Sequence, residues 1–136
     1  MSPNDVRFSS PISLHKPNGY SHIVEVRRGR LIHIAGQVAI APDGKAVGEG
    51  DLRAQLEQIF MNLQAALASV GATFENVIKL AYFCAESVPA GDVTIVREVR
   101  DRFINTQTPP ISTFVFVSRL VRPEWLIEIE AVAVVE

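Results

Sequence analysis

The sequence lacks the features that mark several large classes of protein. Cys84 is the one cysteine among 136 residues, so the chain cannot form an internal disulfide, which suits a reducing compartment. No apolar stretch reaches the ~20 residues that a membrane-spanning helix needs. No charged segment followed by an apolar run marks a signal peptide at the N-terminus. We therefore predict a cytoplasmic protein with no membrane partner.

Long basic runs are also missing. The densest is "RRGR" at residues 27–30, and the formal net charge is −2, so a nucleic-acid partner is not expected. The three histidines, at positions 15, 22 and 33, do not have the spacing of metal ligands. A phosphate-binding loop, a "GxGxxG" motif and a "GxSxG" motif are absent as well.

The composition is that of a globular protein, with 48% hydrophobic and 21% charged residues. At this length we predict one domain over residues 1–136. The apolar content is slightly high for a domain that buries only about two thirds of its unfolded surface. It hints at a second buried surface, such as a subunit interface.

Hydrophobic periodicity predicts an α+β fold with the order β-β-α-β-α-β-β. Residues 1–20 are polar and proline-rich and predict an irregular arm with one short strand near residues 12–14. Apolar residues on both sides of "RRGR" predict a hairpin. Asp51 is a good N-cap for a first helix that ends at Gly71. The later elements are a strand at 77–84, a helix at 92–104, and strands at 111–120 and 125–135.

Two helices can cover only one face of a single mixed sheet. The predicted strands at 77–84 and 111–120 carry apolar residues on both faces, whereas a solvated antiparallel sheet shows polar residues on its outer face. In the last strand, "WLIEIEAVAVV", alternation places Glu128 and Glu130 on the uncovered face. Carboxylates cannot be buried cheaply. We predict that the open face packs on another copy of the protein, with Glu128 and Glu130 at or beside the interface.

Three segments, in the right order, resemble the RidA/YjgF family, also described as endoribonuclease L-PSP-like. They are "LIHIAGQVAI", "VIKLAYFCAES" and "RPEWLIEIEAVAVV", and the resemblance covers about residues 17–135. It implies a chorismate-mutase-like fold and a homotrimer whose three sheets face inward as a barrel, with small-molecule clefts between subunits. It also implies hydrolysis of reactive enamines and imines to a keto acid and ammonia without a metal or organic cofactor. In that reaction an arginine holds the substrate carboxylate and a glutamate positions or activates water.

The resemblance carries over residue by residue only in part. Glu128 matches the first glutamate of the "IEIEA" signature and is the expected catalytic residue. Tyr20 falls at the family's cleft tyrosine, and Gly36 and Gln37 match its "GQ" pair. We expect Tyr20 and Gly36 to bind substrate together with Ala35, which stands where the family has a serine.

Three further expected substrate-binding residues depart from the family. Ser112 stands in the place of the family's arginine and offers one neutral hydroxyl instead of a bidentate cation. Hydrogen bonds to charged groups contribute roughly 1.5–3 kcal/mol each, so the family's substrates are not inherited automatically. Phe114 replaces a cysteine and either makes the cleft more apolar or fills it. Arg97, near the family's helix asparagine, either replaces the missing arginine or belongs to an ordinary charged face with Arg100 and Arg102.

The candidates also have plain structural interpretations. Glu128 can be an interface carboxylate satisfied by backbone N–H groups or an arginine, and Tyr20 can be an exposed loop residue. We interpret Glu130 as structural, His33 as a core or interface histidine, and Cys84 as a small buried hydrophobe.

Two functions stay open at this point. The first is a hydrolase or deaminase that acts on a small enamine or imine in an intersubunit cleft. The second is a trimer that binds a small metabolite without turnover, an alternative that the missing arginine leaves open. The acidic charge balance argues against a ribonuclease.

Overall fold

Residues 5–136 of the chain fold into six strands and two α-helices. The structure is a computed structural model and describes residues 5–136. The elements are β1 (Val6–Ser9), β2 (Ile23–Val26), β3 (Arg30–Gln37), α1 (Leu52–Ser69), β4 (Val77–Ala85), α2 (Val93–Arg100), β5 (Ile111–Val117) and β6 (Ile127–Val135). Short 3-10 helices precede β4 and α2, at Phe74–Asn76 and Ala90–Asp92. Residues 1–4 of the predicted N-terminal arm lie outside the described residues.

The predicted α+β class with two helices and a mixed sheet is confirmed. The main sheet has the strand order β3-β6-β4-β5. β4 and β5 are parallel, as a crossover through α2 requires, and the other pairs are antiparallel.

The predicted hairpin around "RRGR" is wrong, and so is the expectation that every strand joins one sheet. β2 pairs with β1, with Val6 opposite Val26, and the two form a separate sheet. β3 pairs instead with the last strand, β6, because that pairing lets Ile32 and Ile34 pack on the core. Residues 12–14, for which a strand was expected, form a turn.

Helix α1 begins and ends where the sequence predicts. The Asp51 side chain accepts a hydrogen bond from the Ala54 amide at 3.1 Å, which satisfies one of the helix's free donors. The chain turns at Gly71, whose φ of 74° is readily adopted only by glycine. One apolar face of the helix is fully buried, and it comprises Leu56, Ile59, Phe60, Leu63 and Leu67.

Helix α2 is shorter than the predicted range of 92–104, because the α-helix ends at Arg100 and the chain then turns. Phe103, in this turn, stacks on Phe60 of α1 with ring centroids 5.2 Å apart. The predicted solvated face is wrong at Arg100, which is only 8% exposed. Its guanidinium is held by the Asp101 carboxylate, with an N–O distance of 2.8 Å.

Both helices lie on the same face of the main sheet, over the core-facing residues of β6, such as Ile127 and Ile129. The opposite face, which we call the open face, carries the exposed side chains of Leu31, His33, Lys79, Val115 and Glu130. A cavity of about 470 Å³ lies on it. Within residues 5–136, none of the helices is long and apolar enough to cross a membrane.

Candidate functional site

A β-bulge positions the first group of predicted site residues. The register between β3 and β6 shifts between Ile34 and Gln37, so that Ala35 and Gly36 together face one residue of β6. Such bulges bend a strand and re-aim its neighbours, and they are common beside active sites. The Gln37 side chain donates a hydrogen bond to the Ala35 carbonyl at 3.1 Å, which supports the bulge.

The bulge brings the backbone of Gly36 against the side chain of Glu128. A Cβ atom at position 36 would stand 2.8 Å from Glu128 Cδ, closer than any ordinary contact. Glu128 lies opposite Phe83 of β4 and is half-buried on the open face. No residue among 5–136 donates a hydrogen bond to the Glu128 carboxylate or forms an ion pair with it. A half-buried carboxylate without a partner is available to a water, a substrate or another chain.

We expect Gly36→Ala to displace the Glu128 carboxyl group and to lower turnover with little loss of stability. The added methyl meets the end of a flexible side chain, so the side chain moves rather than the backbone. A displacement of this kind at a reacting group costs up to about 10²-fold in kcat. Steady-state kinetics and thermal unfolding of the same preparation measure the two effects.

Gly91→Ala is the matched control, because an added Cβ there meets no atom within 4 Å. Equal activity of the Gly36→Ala protein and the wild type would show that the close approach to Glu128 has no role in turnover.

A second group of predicted residues lines a cavity of about 320 Å³ at the other edge of the sheet, between β5, α2 and the N-terminal arm. We call it the arginine pocket, and its lining residues are Asn18, Tyr20, Tyr82, Val93, Val96, Arg97, Arg100, Ser112 and Phe114. Ser112 pairs with Leu80 on β4, and Phe114 pairs with Tyr82, so both point toward the helices. The Phe114 and Tyr82 rings stack with centroids 5.4 Å apart, and Phe114 therefore lines the pocket without filling it.

Ser21 anchors the arm that carries Tyr20. Its hydroxyl donates to the Pro109 carbonyl at 2.7 Å, and its amide donates to the Pro110 carbonyl at 3.2 Å. Tyr20, next to this anchor, is half-buried, and its hydroxyl lies 2.7 Å from His15 Nε2. These contacts hold Tyr20 at the mouth of the pocket.

Two arginines of α2 meet at the arm. The terminal nitrogens of Arg97 and Arg100 lie 3.2 and 2.9 Å from the point where a Cβ on Gly19 would stand. Gly19 has a φ of 81° and no side chain, which lets the arm pass this close. Arg97 donates to the Asn18 side-chain oxygen at 3.0 Å and to the Asn18 carbonyl at 2.6 Å.

Burial alters the acid–base behaviour of two side chains near the pocket. Desolvation raises the pKa of Tyr82 far above its usual range, and the nearby positive charge of Arg100 opposes this shift only in part. Desolvation also raises the pKa of the Cys84 thiol to about 11. Cys84 is fully buried, so its interpretation as a small apolar residue is confirmed.

Within one chain the two groups do not meet. Glu128, Ala35 and Gly36 lie on the open face toward the β3 edge of the sheet, whereas Ser112 and Phe114 lie on the helix face at the β5 edge. His33 and Glu130 share the open face with the first group and line its cavity. Across residues 5–136, no three His, Cys, Asp or Glu side chains converge as metal ligands do.

The chain is similar to known proteins in both sequence and fold. The sequence model of the family described as "Endoribonuclease L-PSP" matches residues 13–135. The chain is 36% identical to protein DfrA of Myxococcus xanthus over 115 residues, which is 85% of this chain and 84% of DfrA. The chain belongs to the RidA/YjgF superfamily. The fold matches the crystal structure of YyfB, a conserved Rid-family protein of Yersinia pestis, with a TM-score of 0.85 and 36% identity over 96% of this chain and 99% of YyfB.

A more distant RidA/YjgF relative has a name that states a reaction. The 2-iminobutanoate/2-iminopropanoate deaminase of Dermatophagoides farinae is 27% identical over 136 residues and covers the full length of both chains.

Three polar residues of the arginine pocket, Asn18, Tyr82 and Arg100, were not predicted from the sequence, and neither was the anchoring role of Ser21. Arg100 had a usable signal, because residues three apart on a helix share a face with each other and Arg97 was already a candidate. Tyr82 could be predicted as buried but not as a pocket residue, because its neighbour Phe114 comes from a strand 32 positions away in a pairing that a sequence pattern does not reveal.

Proposed function

We propose that the protein is a cofactor-free hydrolase that converts a small enamine or imine into a carbonyl compound and ammonia, in a cleft between two copies of the chain. The observation that carries the proposal is the Glu128 carboxylate, which is half-buried against Gly36 and has no partner within residues 5–136. The name of the deaminase relative from Dermatophagoides farinae supports the same reaction class.

The placement of the site residues supports a cleft between copies. One group lies at the β3 edge on the open face and the other at the β5 edge on the helix face, so one chain cannot close a site around both. Head-to-tail contact of these unlike edges is a heterologous interface, and such an interface forms a ring when the rotation between neighbouring copies closes. The family resemblance implies a ring of three, and we propose a cytoplasmic homotrimer with three identical clefts.

The chemistry needs one carboxylate and one water. Glu128 accepts a proton from the water as its oxygen attacks the carbon of the protonated C=N group. The resulting tetrahedral carbinolamine collapses to C=O and expels the nitrogen as ammonia. Glu128 returns its proton to this nitrogen, and the hydroxyl proton of the carbinolamine leaves with the ammonia as ammonium, so the carboxylate is regenerated and no electron is gained or lost.

Mixed oligomers test the reaction and the shared cleft together. We expect the wild type to release ammonia from freshly generated 2-iminobutanoate or 2-iminopropanoate, and Glu128→Gln to lower the rate of release by about 10²- to 10⁴-fold. Ser112→Trp, which fills the arginine pocket, is expected to abolish the release. Co-expression of the two impaired variants should restore about one site in four, because each intact cleft takes one side from each variant.

Recovery in the mixed oligomers would not occur if each chain held a complete site. Separately purified variants, combined only in the assay, serve as the control for slow exchange of subunits. Absence of ammonia release by the wild type would refute the proposed reaction on these substrates.

Ser112 favours a second candidate, a trimer that binds a small metabolite without turnover. The family's carboxylate-binding arginine is missing at this position. Saturable binding of an imine's keto-acid product by a wild type that releases no ammonia would support this candidate.

A further inference from the structure

We infer that Arg97 and Tyr82 make the arginine pocket selective for a small monocarboxylate, with the anion anchor moved from β5 to α2. This inference rests on the proposed function, since it assigns a substrate class to the same cleft. It makes Arg97 a specificity-determining residue. Position 112 on β5, where the family has an arginine, carries an uncharged serine.

The charges around α2 single out Arg97. Arg100 is neutralised by Asp101 at 2.8 Å, and Arg102 by Glu57 at 2.7 Å. Arg97 contacts only neutral oxygens of Asn18, and none of the ion pairs among residues 5–136 includes it. The pocket therefore holds one positive charge with no carboxylate opposite it.

Arg97 also has donors to spare. A guanidinium carries five N–H groups in a planar fork that matches the two oxygens of a carboxylate. Two of the five are directed at Asn18, which fixes the plane of the group. Because Asn18 belongs to the arm and Arg97 to α2, this contact orients the guanidinium before a ligand arrives, and so reduces the entropy lost on binding.

The hydroxyl of Tyr82 supplies an independent sign of a ligand. Tyr82 lines the pocket but is only 3% exposed, and its buried hydroxyl, which lies beside the Arg100 guanidinium, donates a hydrogen bond to no acceptor within residues 5–136. Buried hydroxyl groups are nearly always paired, and an unpaired one is costly. An oxygen of a bound carboxylate, or of the neighbouring carbonyl group, would accept this hydrogen bond.

The remaining wall limits the size and charge of the ligand. Val93, Val96 and Phe114 give the pocket an apolar side, and its volume of about 320 Å³ suits a small molecule. A second carboxylate on the ligand would meet this apolar side without a free cation, because Asp101 already occupies Arg100. The structure thus favours a short monocarboxylate over a dicarboxylate.

Binding measurements test the inference without requiring turnover. The probes are 2-oxobutanoate, its neutral amide and the dicarboxylate 2-oxoglutarate, each titrated calorimetrically into the wild-type oligomer. We expect Arg97→Gln to weaken 2-oxobutanoate binding about 10- to 100-fold and to leave amide binding unchanged, as the loss of hydrogen bonds to a charged group predicts. We expect 2-oxoglutarate to bind the wild type more weakly than 2-oxobutanoate.

Two further variants complete the experiment. Arg102→Gln removes an arginine that pairs with Glu57 outside the pocket, and it is expected to leave all three affinities unchanged. Tyr82→Phe is expected to weaken 2-oxobutanoate binding about 2- to 10-fold, while the melting temperature stays level or rises because an unpaired buried hydroxyl is removed.

The outcomes separate this inference from the proposed reaction. A selective loss of carboxylate affinity in Arg97→Gln supports the inference even if the wild type releases no ammonia. Unchanged carboxylate affinity, an equal loss for the amide, or an equal loss in Arg102→Gln overturns it even if the wild type hydrolyses imines.

Discussion

Glu128→Gln is expected to lower the kcat of imine hydrolysis by about 10²- to 10⁴-fold, the usual contribution of a general base. The glutamine has the shape of the glutamate and fits the same space beside Gly36, but it cannot accept a proton from water. Because no residue among 5–136 binds the carboxylate, the change breaks no internal ion pair. The melting temperature is therefore expected to stay level. Initial rates of ammonia release measure the effect.

Glu130→Gln is the matched control for this prediction. Glu130 lies two residues along β6 on the same open face, but it is exposed and no glycine packs against it. We expect the kcat of the Glu130→Gln protein to stay within a few-fold of the wild-type value. A Glu128→Gln protein with full activity, or equal losses in both variants, would contradict the role given to Glu128.

The local patterns of the sequence predict the elements well where local physics determines them. Asp51 and Gly71 bound the first helix because a cap and a left-handed glycine act within one turn of the chain. The alternation of residues 127–133 predicts which face of β6 is buried, because burial and the two-residue period of a strand coincide there.

Pairings between distant strands are not determined locally, and the hairpin prediction failed for this reason. "RRGR" has the residues of a turn, but a turn does not require its two flanking strands to pair with each other. β1 offers β2 an antiparallel partner, and β6 offers β3 a longer one. The bulge at residues 35–36 was likewise invisible in the sequence pattern, and only the family resemblance pointed to Gly36.

On the charged face of α2, residue type alone predicts the wrong solvent exposure for Arg100. Arginine is usually solvated, and a run with Arg97, Arg100 and Arg102 reads as surface. Arg100 is buried because Asp101 neutralises it and because the arm crosses above it at Gly19. Neither the Asp101 ion pair nor the contact with Gly19 can be predicted from the sequence pattern, since the arm is about 80 positions away from the helix along the chain.

Leu31→Lys and Val115→Lys are each expected to convert the oligomer into folded single chains and to abolish turnover, although neither residue belongs to the proposed site. Leu31 is 54% exposed and Val115 is 39% exposed on the open face, so a lysine at either position costs an isolated chain little. In an assembly that covers this face, the lysine would be buried without a partner, at a cost of several kcal/mol per interface. Light scattering after size-exclusion chromatography measures the mass.

Met61→Lys is the matched control, because Met61 is an equally exposed apolar residue on α1, on the helix side of the sheet. It is expected to keep both mass and activity. Since each cleft is proposed to need two chains, dissociation should remove activity in proportion to the single chains formed. Active single chains, or a wild type that is already a single folded chain at micromolar concentration, would contradict both the covered face and the shared cleft.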